Sequence, residues 1–345
     1  MDICFTFDAK YLQYVYVVIA SIVENNQTKI RFHLISSNIS KKDVQKIKAW
    51  IDSLGQECFL YQINNSKYSF CPIKNVDNNR LSTAAYYRID IPQILPENIK
   101  KVLYLDLDVL VLKDISDLFN INIDNYPLAV VEVLNNYFNS GVMLMNLDYF
   151  RKNNLSEQLY TYIKYNQDKI NFYDQDAFNN LLKGNWYKLP PKYNAGDILV
   201  ETLENTLNMG LLPIYPPEQV EEARNNPAIV HYAGSFHYKL WYQDCIHSKQ
   251  DLFLYYRSKT PFKDAKLKTH YILYLMKGEE LPYTYVKELV KNEIDKAKQE
   301  KGIKKYIFNF MNRNVKSRKL LFTCITYFYY LKKKLRERNE HIKSV

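Results

Sequence analysis

Residues 101–112 read Lys-Val-Leu-Tyr-Leu-Asp-Leu-Asp-Val-Leu-Val-Leu, an apolar run broken only by two carboxylates one residue apart. With no Gly or Pro in it, such a run predicts a strand buried on both faces. Residues i and i+2 of a strand share a face, so Asp106 and Asp108 are expected to point the same way. Two like charges so placed among Leu and Val repel each other and resist burial. A divalent cation resolves both difficulties, because carboxylate oxygens are the ligands Mg²⁺ and Mn²⁺ prefer. In open α/β sheets ligands sit beyond the carboxyl ends of strands, and the pair is expected near such an end. Two solvated acids at a strand terminus would satisfy the same pattern.

The flanking chain alternates strand and helix signals. Strands are expected at 3–7, 30–35, 58–63, 128–133, 141–146 and 229–231. Helices are expected at 11–23, 41–54 and 82–88, then around Leu155, Leu159 and Ile163 and around Phe178, Leu181 and Leu182. Ser40 can N-cap the second helix with Asp43 at its third position, and Gly55 can end it. This alternation predicts an α/β domain with a largely parallel sheet over residues 1–260. From 261 the strand signals stop, and a helical region rich in Lys and Glu runs to 345.

The net charge of +10 belongs to one end: residues 301–345 hold 13 Lys or Arg against 2 Asp or Glu, leaving 34 against 35 elsewhere. A nearly neutral body argues against nucleic acid, whose binding needs basic residues across the fold. The stretch 320–331 is aromatic and aliphatic between Lys/Arg clusters. It is too short to span a bilayer but suited to lying at an anionic membrane surface. A C-terminal helix packed on its own domain would look similar. Five scattered cysteines without a CxxC indicate neither a disulfide framework nor a zinc site, and fit a reducing compartment. The N-terminus has no basic n-region and reads as a strand, not a signal peptide. Among eight glycines no two are one residue apart, so a GxGxxG fingerprint is absent.

Several short stretches add polar chemistry to this frame. Asn139-Ser140-Gly141 precedes an expected strand, and Gly141 would let backbone approach a ligand closely. Asp174-Gln175-Asp176 opens a helix, where terminal N–H groups favour acids. His231-Tyr232-Ala233-Gly234 follows a short apolar run, and a His could complete a metal site with two carboxylates. Singly, Asp174 reads equally as a helix cap and His231 as structural.

In this order the stretches resemble the family-8 glycosyltransferases. These are retaining enzymes that include lipopolysaccharide galactosyl- and glucosyltransferases and glycogenin. The resemblance runs from Met1 to about Trp241 and rests on 1–8, 82–88, 103–110, 138–141, 174–176 and 231–234. It implies a GT-A fold, a Rossmann-like nucleotide-binding mixed sheet flanked by helices. It implies that Asp106, Asp108 and His231 hold Mn²⁺, with Mg²⁺ as the alternative, against the diphosphate of a UDP-sugar. Asp8 and Ala9 would meet the uracil. Arg88 and Asp174 would hold sugar hydroxyls, and Asn139, Ser140 and Gly141 would line sugar and ribose. Leu107 and Gly234 would contact the nucleotide, and Gln175 would lie on the sugar face where the family's debated nucleophile sits.

Four positions depart from the family pattern. Where the family has Lys three residues after the final Gly this chain has His237, so Lys239 is preferred for the phosphate and His237 is its rival. Only five residues separate Val133 from Asn139, leaving no long loop over the acceptor site. Ser140 replaces an Ala, and Glu132 an Asp that often touches the sugar. The resemblance implies transfer of glucose or galactose to a glycan hydroxyl, on lipopolysaccharide or another cell-surface glycan. The expected location is cytoplasmic, peripheral to the inner face of the membrane. Two other readings remain at this point: an inactive UDP-binding scaffold at a membrane surface, and a haloacid-dehalogenase-type phosphatase, which also sets Asp-x-Asp after a buried strand.

Overall fold

A computed structural model describes residues 1–267 except 74, 77–78, 81, 135, 209–213, 235–237, 243–244 and 246. The expected helical region and basic tail lie, from 268 onward, outside the described residues. In chain order the strands are β1 (Asp2–Asp8), β2 (Arg31–Ser37), β3 (Glu57–Gln62), β4 (Asn75–Val76), β5 (Asn79–Arg80) and β6 (Lys101–Leu105). They continue as β7 (Val109–Val111), β8 (Leu128–Leu134), β9 (Tyr137–Asn146), β10 (Tyr187–Lys188) and β11 (Ile229–His231).

Seven of them form one mixed sheet in the order β10-β8-β9-β6-β1-β2-β3. The pairs β1–β2, β2–β3, β1–β6 and β8–β10 are parallel, while β9 runs antiparallel to both β6 and β8. The period of two sorts side chains between two cores. Ile3, Phe5 and Phe7 of β1, Leu103 and Leu105 of β6, and Val142 and Leu144 of β9 pack in one core. Cys4, Val102, Tyr104, Met143 and Met145 pack in the other.

Helices cover both faces. Leu12–Asn25 links β1 to β2 and is buried over nearly its whole length, which is why its sequence is apolar all round. Lys41–Ser53 is amphipathic, burying Ile47 and Ile51. Its start is reciprocal: the Ser40 hydroxyl accepts from Asp43 N–H at 3.1 Å and donates to the Asp43 carboxylate at 2.7 Å. Gly55 follows it with φ +74°. Leu155–Tyr165 and Tyr173–Leu182 cover the second face. The chain from β1 winds outward through β2 and β3, whereas β6 lies on the other side of β1. The crevice between the C-terminal ends of β1 and β6 is therefore the topological switch point of the sheet.

Candidate active site

Asp106 follows β6, and its N–H donates to the Gly141 carbonyl at 2.8 Å as the last rung between β6 and β9. The chain then turns. β7 leaves the main sheet and pairs antiparallel with β11, placing Val109 opposite His231. The single strand expected over 101–112 is thus two strands, and Asp106 and Asp108 occupy the turn between them. Val102–Leu105 and Val109–Val111 are all buried, so nothing in the hydrophobicity marked the break. The carboxylates still converge: ligand atoms of Asp106, Asp108 and His231 lie within 4.8 Å of one another.

Neighbours decide which atoms face the cluster. Asp106 Oδ1 accepts from Arg88 Nη2 at 2.8 Å and from the Tyr104 hydroxyl at 2.6 Å. Its other oxygen faces the space above Gly141: a Cβ built there would lie 2.9 Å from Asp106 Oδ2 and 2.2 Å from His231 Cε1. Only glycine leaves that space open. Asp108 is buried, with His231 Nε2 3.3 Å from Oδ1 and the Lys239 ammonium donating to Oδ2. Burial pushes the Asp108 carboxyl up, but Lys239 and then His231 outweigh it and hold the group well below the usual carboxylate range.

Arg88 comes from the 3-10 helix Thr83–Asp90, whose Ser82 cap accepts from Ala84 N–H. Arg88 is 5% exposed. Its Nε donates to the Ala85 carbonyl at 2.9 Å, its Nη1 to the Ser140 carbonyl at 2.8 Å, and its Cζ sits 4.3 Å from the Tyr104 ring centre. Burial works against its charge, and Asp106 and Asp174 more than restore it. Asp174 Oδ2 lies 3.2 Å from Arg88 Nε, yet it has no hydrogen-bond donor and is fully buried. Burial, opposed by Arg88, raises the Asp174 carboxyl to about 7. A buried acceptor without a donor is what a ligand hydroxyl can satisfy. Tyr173, just before it, has φ +54°, strained backbone for an aromatic residue of the kind that clusters at functional sites.

Gln175 Oε1 accepts from Asn139 Nδ2 and from Ser140 N–H, both at 3.1 Å, and its Nε2 donates to the Tyr137 hydroxyl at 3.0 Å. The amide is a fixed dipole, not a free side chain. At the other end of the crevice, Asp8 closes β1 and accepts from the Ser37 hydroxyl at 3.4 Å, with Ala9 opening the 3-10 helix Ala9–Tyr11. Leu107, in the turn, packs on the core. Gly234 adopts φ +114°. His237 lies outside the described residues. Glu132 is directed elsewhere: its carboxylate accepts from Trp186 Nε1 at 2.9 Å and pairs with Lys188 Nζ at 2.9 Å. The β8–β9 hairpin closes at Leu134 opposite Tyr137, so the short link expected between Val133 and Asn139 is a tight turn. Sequence reasoning missed Tyr104, Tyr137 and Asn194. The last had a signal, because Pro190-Pro191 builds the rigid turn that delivers it.

The family profile described as Glycosyl transferase family 8 matches residues 2–245. General stress protein A of Bacillus subtilis is 28% identical over 272 residues, covering 73% of this chain and 91% of that protein. Lipopolysaccharide 1,2-glucosyltransferase of Escherichia coli K12 is 28% identical over 282 residues, covering 76% and 79%. Among solved structures, galactosyltransferase LgtC with donor and acceptor sugar analogs superposes with a TM-score of 0.64 at 23% identity, over 76% of this chain and 96% of that one. The shared fold is GT-A.

Proposed function

This chain belongs to glycosyltransferase family 8, and on that premise we propose that it moves a hexose, glucose or galactose, from a UDP-sugar to a glycan hydroxyl with retention at C1. One observation carries this reading: Asp106, Asp108 and His231 converge within 4.8 Å at the switch point, beside the Arg88–Asp174 pair. Two carboxylates and an imidazole suit a divalent cation of the Mn²⁺ or Mg²⁺ type. The space kept open by Gly141 fits it. A cation held there supplies Lewis-acid neutralisation of the leaving diphosphate.

The chain's own residues have distinct tasks in this reading. Lys239 brings a flexible ammonium to the edge of the cluster, where it can pair with a phosphate oxygen. Arg88 braces Asp106 with one arm and the β9 backbone with another, so the sugar is presented to a rigid wall. Asp174 offers its undonated oxygen to a sugar hydroxyl. Gln175 holds its carbonyl dipole at the sugar face. With its amide fully engaged and weakly nucleophilic, it supports attack by the acceptor from the face that UDP leaves, not a covalent intermediate. Asp8 and Ser37 close the uracil end.

A glycan acceptor is supported by the relatedness to a lipopolysaccharide 1,2-glucosyltransferase. Peripheral attachment at the inner membrane face is supported by the basic and aromatic composition of 301–345. UDP release from a panel of UDP-sugars, with and without Mn²⁺ and without acceptor, tests the proposal. Slow hydrolysis of one UDP-hexose that chelator abolishes supports it. If no sugar is hydrolysed and UDP leaves the melting temperature unchanged with Mn²⁺, the reading fails.

A further inference from the structure

The amide orientations around His231 can be fixed without assumption, because the chain of hydrogen bonds begins at a backbone N–H. Gly141 N–H donates to Asn139 Oδ1 at 3.0 Å, so that atom is an acceptor. Asn194 presents its other partner to the same oxygen at 3.0 Å, and that partner must therefore be the Nδ2 donor. The remaining Asn194 atom, Oδ1, lies 2.8 Å from His231 Nδ1. An amide oxygen can only accept, so Nδ1 carries a proton, and Nε2 is the ring atom that faces Asp108, at 3.3 Å. Asn194 is 1% exposed, and water does not compete for these bonds. Its backbone is held by the 3-10 turn Pro191–Tyr193, while Ala195 pairs with β11: Ala195 N–H donates to Ile229 O at 2.9 Å and His231 N–H to Ala195 O at 2.6 Å.

We propose that Asn194 is the positioning residue of the site, setting the ligating tautomer of His231 with its oxygen and, through Asn139, the amide of Gln175 with its nitrogen. This rests on the cation reading above. A hydrogen bond behind a ligating His fixes ring and tautomer, and losing it typically costs about 10- to 100-fold in metal affinity. The second half of the link runs from Asn139 Nδ2 to Gln175 Oε1 at 3.1 Å. One side chain thus ties the cation side of the crevice to its sugar side.

The two halves separate by substitution. Asn194→Asp keeps an oxygen for His231 but sets a second oxygen against Asn139 Oδ1, whereas Asn194→Ser reaches neither. The experiment uses the full chain with ¹⁵N-labelled histidine, His231 being assigned by its loss in His231→Asn. The metal-free protein is expected to show a proton on Nδ1; a bare Nδ1 overturns the proposal with no variant needed. Mn²⁺ titrated in saturating UDP is expected to bind Asn194→Ser roughly 10- to 100-fold more weakly and Asn194→Asp about as tightly as the parent. Turnover should fall in both. Equal Mn²⁺ affinity in parent and Asn194→Ser, or equal loss in both variants, overturns it. If the parent itself binds no Mn²⁺ with UDP, the cation reading fails, while the tautomer result still decides the role of Asn194.

Discussion

The chain carries two Asp-x-Asp sequences at the site, and they do opposite things. In Asp106-x-Asp108 the two carboxylates converge on His231. In Asp174-x-Asp176 they diverge. Asp174 reaches Arg88 with one oxygen undonated. Asp176 turns back: Oδ2 accepts from Asn171 and Phe172 N–H at 2.6 and 2.8 Å, and Oδ1 from the Tyr137 hydroxyl at 2.6 Å. Backbone geometry accounts for the difference. Residues i and i+2 of a helix point about 200° apart, so Asp174 and Asp176, in the first turn of Tyr173–Leu182, cannot share a ligand. The turn between β6 and β7 imposes no such divergence. Identical spacing therefore says little until the backbone beneath it is known.

Substitutions can break this comparison. The largest effect is expected from Asp106→Asn or Asp108→Asn, which should weaken Mn²⁺-dependent UDP binding roughly 100-fold or more, the several kcal/mol a Lewis-acid cation supplies. Calorimetry on folded variants checks this, and unchanged binding removes both from the cation site. Asp174→Asn should instead lower turnover by about 100-fold with UDP binding retained. An equal loss of UDP binding would mean that the two motifs share one task. Gly141→Ala, whose Cβ falls 2.2 Å from His231 Cε1, should cost about tenfold in Mn²⁺ affinity by displacing the imidazole, read by Mn²⁺ titration. Asp176→Asn should act on stability, with about 1–3 kcal/mol lost as one of its charge-assisted bonds fails, seen as a lower melting temperature.

An effect apart from the site concerns acid. His247 is buried, and burial holds its imidazole near 4 instead of 6.5. The folded state therefore prefers the neutral ring. Stability is full above about pH 6.5 and is lost as pH falls towards 4, by at most about 3 kcal/mol. His247→Gln should flatten that limb of the melting temperature against pH. An unchanged slope would place the acid sensitivity elsewhere.

Much of this was legible in the sequence, for reasons that residues make plain. The apolar run of β1, the N-cap at Ser40 and the helix opened around Asp174 are local signals, and local signals survive into the structure. The break at Asp106 was not legible, because Leu105 and Val109 are equally buried and the turn is set by β11 pairing with β7, more than a hundred residues away. The engagement of Glu132 by Trp186 and Lys188 depends on a third strand, and Asn194 gains its meaning only beside His231 and Asn139. Chemistry carried by one segment can be read from the chain; chemistry shared between segments needs the fold.

The most direct test is UDP binding to the parent chain and to Asp108→Asn by calorimetry, each with Mn²⁺ and with chelator. UDP is expected to bind the parent at least about 100-fold more tightly with Mn²⁺, and the variant with no difference between the two conditions. Equal affinity in both conditions for the parent, or the same enhancement in Asp108→Asn, would contradict a cation site built from Asp106, Asp108 and His231.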